Sequence, residues 1–167
     1  MISSYMNQNL IKLELETVEN MQLDDEERMK PKIIQAIKFS VLEELVDLVI
    51  ITEDVKNRKR LLTDIWNREK RDTTGIGRGV AIPHVRSKTM DGTYVVIARS
   101  TPGLPFESRD EMPCHAFFGV FGNYFNPRLY LEIYKDIVQI SQYDDFMKRF
   151  LKAESVQDIF VLIQEFE

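Results

Sequence analysis

Residues 115–121 form a nearly all-apolar run, which limits the possible folds more than any other stretch of the chain. A short apolar run without polar alternation is typical of a β-strand that is buried on both faces. The β-branched run at 93–99 lies between turn signals and predicts a second strand. A strand buried on both faces needs a covering layer on each side of its sheet, so this pattern predicts helices on both faces.

Helical patterns supply those layers. Apolar residues recur at helical spacing over 33–51, and we expect a break near Phe39-Ser40, where Ser40 and Glu43 offer a cap for a second segment. Further helical patterns lie at 58–69, 127–143, 144–151 and 155–166. The long helical segments separate the predicted strands, as in α/β proteins.

The N-terminal part of the chain opens with a strand pattern. Residues 9–15 alternate apolar and polar side chains, which predicts a strand, and an irregular connection is expected over 19–31 because a proline follows Lys30. Together the patterns predict one α/β domain over residues 1–167, built as a three-layer α/β/α sandwich around a central mixed β-sheet.

Composition excludes several classes of function. The net charge of −5 and the pI near 5.2 argue against a general nucleic-acid surface. No window approaches the ~18 consecutive apolar residues of a membrane span, and the start of the chain lacks the features of a secretory signal. A single cysteine, Cys114, and two histidines predict neither a disulfide nor a metal or cofactor site. We therefore expect a cytoplasmic protein without direct membrane insertion.

The chemistry of the chain centres on residues 74–84, where alternating glycines precede an apolar run that ends at Pro83 and His84. The spacing matches neither the dinucleotide-binding fingerprint nor a P-loop, so the glycines are either purely structural or part of a ligand-binding loop. His84 is a candidate nucleophile or proton carrier, because a neutral imidazole has a free ring nitrogen. The alternative is a histidine that is held by a backbone hydrogen bond and has no chemical role.

Together with Arg68-Glu69-Lys70 upstream, the string 74–84 closely resembles the fructose/mannitol-type IIA domain of the bacterial sugar phosphotransferase system. That family includes a nitrogen-regulatory branch. The resemblance extends through 91–106 and 112–118 to the closing helices and covers roughly three quarters of the chain.

The resemblance implies a phosphoryl carrier. His84 would accept a phosphoryl group from the phosphohistidine of an HPr-like phosphocarrier protein, and Arg68 would balance its charge with a planar guanidinium. Backbone N–H groups at Gly75, Gly77 and Gly79 would form a phosphate-binding loop. A IIB component or regulatory target proteins would be further partners, and no metal is required.

The sequence departs from the family pattern at three places. Arg128 occupies the position where the family has a second histidine, and there it would lower the pKa of His84 and slow phosphoryl release, which favours a regulator. Val85 is larger than the residue that usually follows the histidine, and 19–37 is longer than usual, either as an insertion or as an extended connection. Two alternatives stay open: a degenerate IIA-like regulator that binds partners without phosphate, and a IIA component of fructose/mannitol-type sugar uptake.

Overall fold

The computed structural model describes residues 1–167, apart from the side chains of residues 19 and 20. The strands are β1 (Ile11–Lys12), β2 (Gly75–Gly77), β3 (Val80–Ala81), β4 (His84–Ser87), β5 (Tyr94–Leu104) and β6 (Cys114–Asn123). The α-helices are α1 (Thr17–Met21), α2 (Asp25–Arg28), α3 (Pro31–Ile50), α4 (Arg58–Arg71), α5 (Pro127–Ser141), α6 (Asp144–Lys152) and α7 (Val156–Phe166). Two short 3-10 helices, Ile2–Tyr5 and Gln8–Leu10, precede β1.

The sheet is mixed, with the strand order β1-β5-β6-β3-β2, and β4 pairs with β6. Strand β6 is antiparallel to β5 and parallel to both β3 and β4. Val80 lies opposite Ala116 and His84 lies opposite Val120, so β3 and β4 are two halves of one interrupted strand along the same edge of β6. Pro83 explains the interruption, because proline has no N–H to donate to the ladder.

Helices cover both faces, as the sequence predicted. Helix α3 packs against α4 and β5, whereas α5 packs on β6 and α7 packs on α6 and β1. The central strands are buried almost throughout: Phe117, Phe118, Val120 and Phe121 of β6 have no exposed surface. The sequence-based prediction of a three-layer sandwich around a mixed sheet is therefore confirmed.

Helix α3 is continuous, so the break expected near Phe39-Ser40 is wrong. Its buried positions, Ile37, Val41 and Leu45, continue at i, i+4 spacing straight through this point. The Ser40 hydroxyl caps no second segment and donates instead to Thr17 Oγ1 at 3.3 Å.

The connection before α3 is more ordered than predicted. Residues 19–31 contain the end of α1 and all of α2, and α2 begins with a capping box in which Asp24 and Glu27 satisfy each other's backbone N–H groups. Pro31 is the first residue of α3, a position where its missing N–H costs nothing. The opening strand is shorter than the predicted 9–15, because residues 8–10 form a 3-10 turn.

Candidate functional site

The interruption between β3 and β4 positions His84. At this break the Ile82 N–H donates to Thr74 O at 2.9 Å, and Pro83 O accepts from the Val120 N–H at 2.9 Å. The imidazole Nδ1 of His84 lies 2.6 Å from Ile82 O. Because a carbonyl oxygen only accepts, Nδ1 carries the proton and Nε2 has the free lone pair.

Arg68 faces that lone pair. Its Nε–H donates to His84 Nε2 at 3.1 Å across 16 positions of sequence, and its NH1 donates to Asp72 O at 3.0 Å. The guanidinium is thus held at both ends, between the imidazole and the C-terminal end of α4. A permanent positive charge beside Nε2 opposes protonation of the ring and leaves Nε2 available as a nucleophile.

Two tyrosines of α5 enclose the imidazole. The ring centroids of Tyr130 and Tyr134 lie 5.4 and 5.3 Å from that of His84, both edge to face. Their i, i+4 spacing puts both rings on one side of the helix. They cover part of the imidazole, which also borders the open groove, and, with the bonds at Nδ1 and Nε2, they restrict its rotation.

The environment of His84 lowers its pKa from 6.5 to about 4. Burial is the main cause, and the nearby charge of Arg68 lowers the pKa further, whereas the hydrogen bond to Ile82 raises it. The imidazole is therefore neutral at pH 7, as a nitrogen nucleophile must be.

A buried ion pair fixes the helix that carries Arg68. Glu69 is 2% exposed and accepts a hydrogen bond from the Thr74 N–H at 3.0 Å. Its carboxylate also pairs with Lys38 of α3 at 3.0 Å, and the same ammonium reaches Glu107 at 2.9 Å. The hydrogen bond from Lys38 lowers the pKa of Glu107. This network joins α3, α4 and the start of the glycine stretch.

An open groove of about 670 Å³ begins at His84. The charged side chains of its lining are Arg60, Asp64, Arg68, Arg71, Arg86 and Lys88. The carboxylate is already paired, because Arg60 Nε lies 2.9 Å from Asp64 and the Ser87 hydroxyl donates to Asp64 at 2.7 Å. Five cationic side chains and one carboxylate give the groove a net charge of +4, which suits an anionic ligand.

Gly75, Gly77 and Gly79 do not line this groove. This corrects the expectation that their backbone N–H groups form a phosphate-binding loop. Gly75 and Gly77 belong to β2, which forms an antiparallel hairpin with β3, and their nearest neighbours are Ser108 and Asp110. Gly77 and Gly79 have φ values of +101° and +78°, which glycine tolerates without strain. Gly77 and Gly79 therefore flank the tight turn between β2 and β3.

Arg128 is also absent from the groove. Its side chain is 90% exposed and pairs with Glu132 on the next turn of α5 at 3.0 Å. Tyr130 follows Arg128 by two residues, which corresponds to a rotation of about 200° around α5. Because Tyr130 faces His84, the side chain of Arg128 lies on the opposite side of the helix and points away from His84. Burial and Arg68, rather than Arg128, lower the pKa of His84. Val85 is 6% exposed and belongs to the core.

The sequence interpretation overlooked most of the groove. Of the α4 side chains it named only Arg68 as a site residue, yet Arg60, Asp64 and Arg71 also line the groove. These four positions of α4 recur at i, i+4, i+8 and i+11 and therefore lie on one face of the helix. This helical spacing of charged residues was the sequence signal that could have indicated the groove. No comparable sequence signal distinguished Tyr130 and Tyr134 from core aromatic residues.

The second histidine and the cysteine lie elsewhere. His115 bonds through Nδ1 to Ser100 O and Thr101 O, both at 3.1 Å. Cys114 is buried, and burial raises the pKa of its thiol to about 12, so it stays protonated. Among the described residues, no His, Cys, Asp or Glu cluster could hold a metal, and no helix is long and apolar enough to cross a membrane.

Comparison with known proteins identifies the class. The family model described as "Phosphoenolpyruvate-dependent sugar phosphotransferase system, EIIA 2" matches residues 23–166. The chain therefore belongs to the EIIA type-2 family of the phosphotransferase system.

Relatives of the chain include fructose-specific components and a nitrogen regulatory protein. It is 29% identical over 133 residues to the fructose-specific EIIA component of Haloferax volcanii, covering 78% of this chain and 86% of that protein. The fructose-specific EIIABC component of Bacillus subtilis is 28% identical over 77% of this chain, but the match spans only 20% of that longer protein. A nitrogen regulatory protein of Bradyrhizobium diazoefficiens is 25% identical over 65% of this chain and 71% of its own length.

Solved structures share the fold. The nitrogen regulatory protein IIA-Ntr of Neisseria meningitidis superposes with a TM-score of 0.74 and 18% identity, covering 97% of this chain and 98% of that one. The mannitol enzyme IIA of Escherichia coli, solved in complex with phosphorylated enzyme IIB, gives a TM-score of 0.67 and 14% identity over 77% of this chain and 88% of that one.

Proposed function

We propose that this protein carries a phosphoryl group on Nε2 of His84, which it receives from the phosphohistidine of an HPr-like phosphocarrier protein. The observation that carries the proposal is the arrangement of the imidazole: Nδ1–H is bound to Ile82 O, and Nε2 faces the Nε–H of Arg68 at 3.1 Å. A ring held in this way offers one nitrogen as nucleophile and keeps a cation beside the bond that forms.

In the proposed transfer, the Nε2 lone pair attacks phosphorus and forms the new P–N bond. The electron pair of the donor's P–N bond leaves with the donor's imidazole, and Nδ1 of His84 keeps its proton on Ile82 O. Arg68 exchanges its hydrogen bond to Nε2 for one to a phosphoryl oxygen. Its guanidinium moves little, because NH1 stays anchored on Asp72 O. Positioning and positive charge supply the catalysis.

The test is incubation with enzyme I, the HPr-like carrier and phosphoenolpyruvate, followed by intact mass measurement. We expect the mass of one acid-labile phosphoryl group on the wild type and on the matched control His115→Gln, and none on His84→Gln. Phosphate that persists on His84→Gln would move the acceptor site elsewhere. A wild type that stays unphosphorylated beside a phosphorylated carrier would instead support the degenerate regulator that binds partners without phosphate.

The acceptor of the phosphoryl group decides between sugar uptake and regulation. Relatives of both kinds exist, and the exposure of Arg128 removes the sequence-based reason for preferring a regulator. Transfer of labelled phosphate from His84 to a fructose-type IIB component would assign the chain to uptake. Phosphate that stays on the chain beside that component would favour a regulatory output. Under either output the proposal places this single domain, residues 1–167, in the cytoplasm. Residues 19–37 remain a proposed insertion or extended connection.

A further inference from the structure

Glu69 is connected to His84 by a series of hydrogen bonds that runs through the backbone. Its carboxylate accepts from the Thr74 N–H at 3.0 Å and also from the Thr74 hydroxyl. Thr74 O accepts from the Ile82 N–H at 2.9 Å, and Ile82 O lies 2.6 Å from Nδ1 of His84. A buried carboxylate is therefore joined to the ring nitrogen that holds the proton.

Glu69 also anchors the group on the other side of the imidazole. It directly follows Arg68 on α4, and the Nε–H of Arg68 donates to His84 Nε2 at 3.1 Å. The buried ammonium of Lys38 lies 3.0 Å from the Glu69 carboxylate and holds it between α3 and α4. Because successive residues of a helix share one rigid backbone, an anchored Glu69 restricts the backbone from which Arg68 extends.

We infer that Glu69 is a positioning residue for phosphoryl acceptance by His84. Through Thr74 and Ile82 it places the carbonyl oxygen that binds Nδ1–H, and through α4 it places Arg68 beside Nε2. The inference rests on the proposed function, because it concerns the same histidine. Neither Glu69 nor Thr74 lines the groove, so both act on the ring without contacting a ligand there. Buried polar networks orient a reactive side chain when each member has its partner.

A merely structural Glu69 would only neutralise Lys38. The buried ion pair would then stabilise the fold without directing the ring, and a neutral pair of similar size would serve equally well. Two double variants separate these roles, because both remove the ion pair. Lys38→Met with Glu69→Gln keeps a carbonyl oxygen for the Thr74 N–H, whereas Lys38→Met with Glu69→Met keeps the length of the side chain without an acceptor for that N–H.

The first readout is the tautomer of His84, from long-range ¹H–¹⁵N NMR spectra at neutral pH. We expect only the Nδ1–H form in the wild type and in the glutamine variant, and a mixture of both tautomers in the methionine variant. His115 is the internal control, because its Nδ1 contacts Ser100 O and Thr101 O, both at 3.1 Å, so that other carbonyl groups hold its ring. The tautomer of His115 should be the same in all three proteins.

The second readout is the single-turnover rate of phosphoryl acceptance from the HPr-like carrier. We expect the glutamine variant to stay within about threefold of the wild type and the methionine variant to be slower by about tenfold to 100-fold, because small displacements of reacting groups have effects of this size. Phosphoramidate, a small P–N donor without a protein surface, should give the same order of rates, because the defect lies at His84 itself.

A methionine variant with the tautomer and rate of the wild type would overturn the inference. Equal losses in the glutamine and methionine variants would also overturn it, because the ion pair rather than the hydrogen bond to Thr74 would then be responsible. If the methionine variant does not fold, amide hydrogen exchange in the wild type is the test: slow exchange at both Thr74 and Ile82 supports the series, and fast exchange at either overturns it. A wild type that accepts no phosphate would overturn the proposed function and leave the tautomer comparison as the test of whether Glu69 orients the ring.

Discussion

Acidification should destabilise this protein through His84. The folded environment lowers the pKa of His84 to about 4, whereas the ordinary value of 6.5 applies to the unfolded chain. Between these two values the unfolded chain binds a proton that the folded protein does not. The contribution of His84 to stability is therefore complete above pH 6.5 and is lost as the pH falls toward 4.

The magnitude follows from the two pKa values. One pKa unit corresponds to about 1.36 kcal/mol, so the full difference is worth about 3 kcal/mol at low pH. Integration of the two titrations gives a loss of about 1.4 kcal/mol at pH 5.5 and about 2.5 kcal/mol at pH 4.5. Carboxylates also titrate in this range, but a comparison with a variant that lacks the imidazole cancels their contribution.

Urea unfolding of the wild type and His84→Gln between pH 7.5 and pH 4.5 measures this difference. Glutamine places an amide group near the position of Nε2 and does not titrate. We expect the free energy of unfolding of the wild type to fall by about 2.5 kcal/mol more than that of the variant at pH 4.5. Equal losses in both proteins, or a His84 pKa above 6 in an NMR titration, would refute the argument that burial keeps this ring neutral.

Three further substitutions test other parts of the structure. Arg68→Lys should slow phosphoryl acceptance by about 100-fold in single-turnover assays, because an ammonium lacks the planar fork of donors; wild-type rates would contradict this role. Glu69→Ala should lower the free energy of unfolding by about 3–5 kcal/mol in urea titrations, because it leaves the ammonium of Lys38 buried without its buried partner; a loss below about 1 kcal/mol would contradict it. Arg128→Ala should change the stability by less than about 0.5 kcal/mol and leave the acceptance rate unchanged, and a marked rate change would restore Arg128 to the site.

Much of the fold could be predicted from local patterns. The apolar run over 115–121 lies within strand β6 of the structure. The last helix begins with a capping box formed by Ser155 and Asp158. Both features involve residues that are close in sequence, so a local pattern is enough to indicate them. The break expected in α3 failed because packing against the sheet outweighs one weak capping signal at Ser40. The helices within 17–28 were missed because they are short and have little apolar periodicity.

The candidate site was only partly predictable. Arg68 and His84 were paired through a resemblance of sequence strings, and the structure places them in hydrogen-bond contact. The glycines and Arg128 were placed wrongly, because string similarity gives no direction for a side chain or a backbone N–H. The β2–β3 hairpin sets the direction of the glycine backbone. The position of Arg128 around α5, relative to Tyr130, sets the direction of its side chain.

The sequence by itself determined the alternation of strands and helices, the proline that separates β3 from β4, and the presence of one histidine directly after that proline. These features depend on local backbone sterics and on periodic burial. Only the tertiary structure decided which side chains surround the imidazole. Arg68 from α4 and Tyr130 from α5 both reach His84 because α4 packs on β4 and α5 packs on the adjacent strand β6. The low pKa of His84 and the cationic groove depend on this packing, because burial and charge act through space. The tautomer is fixed locally, by the contact of Nδ1 with Ile82 O.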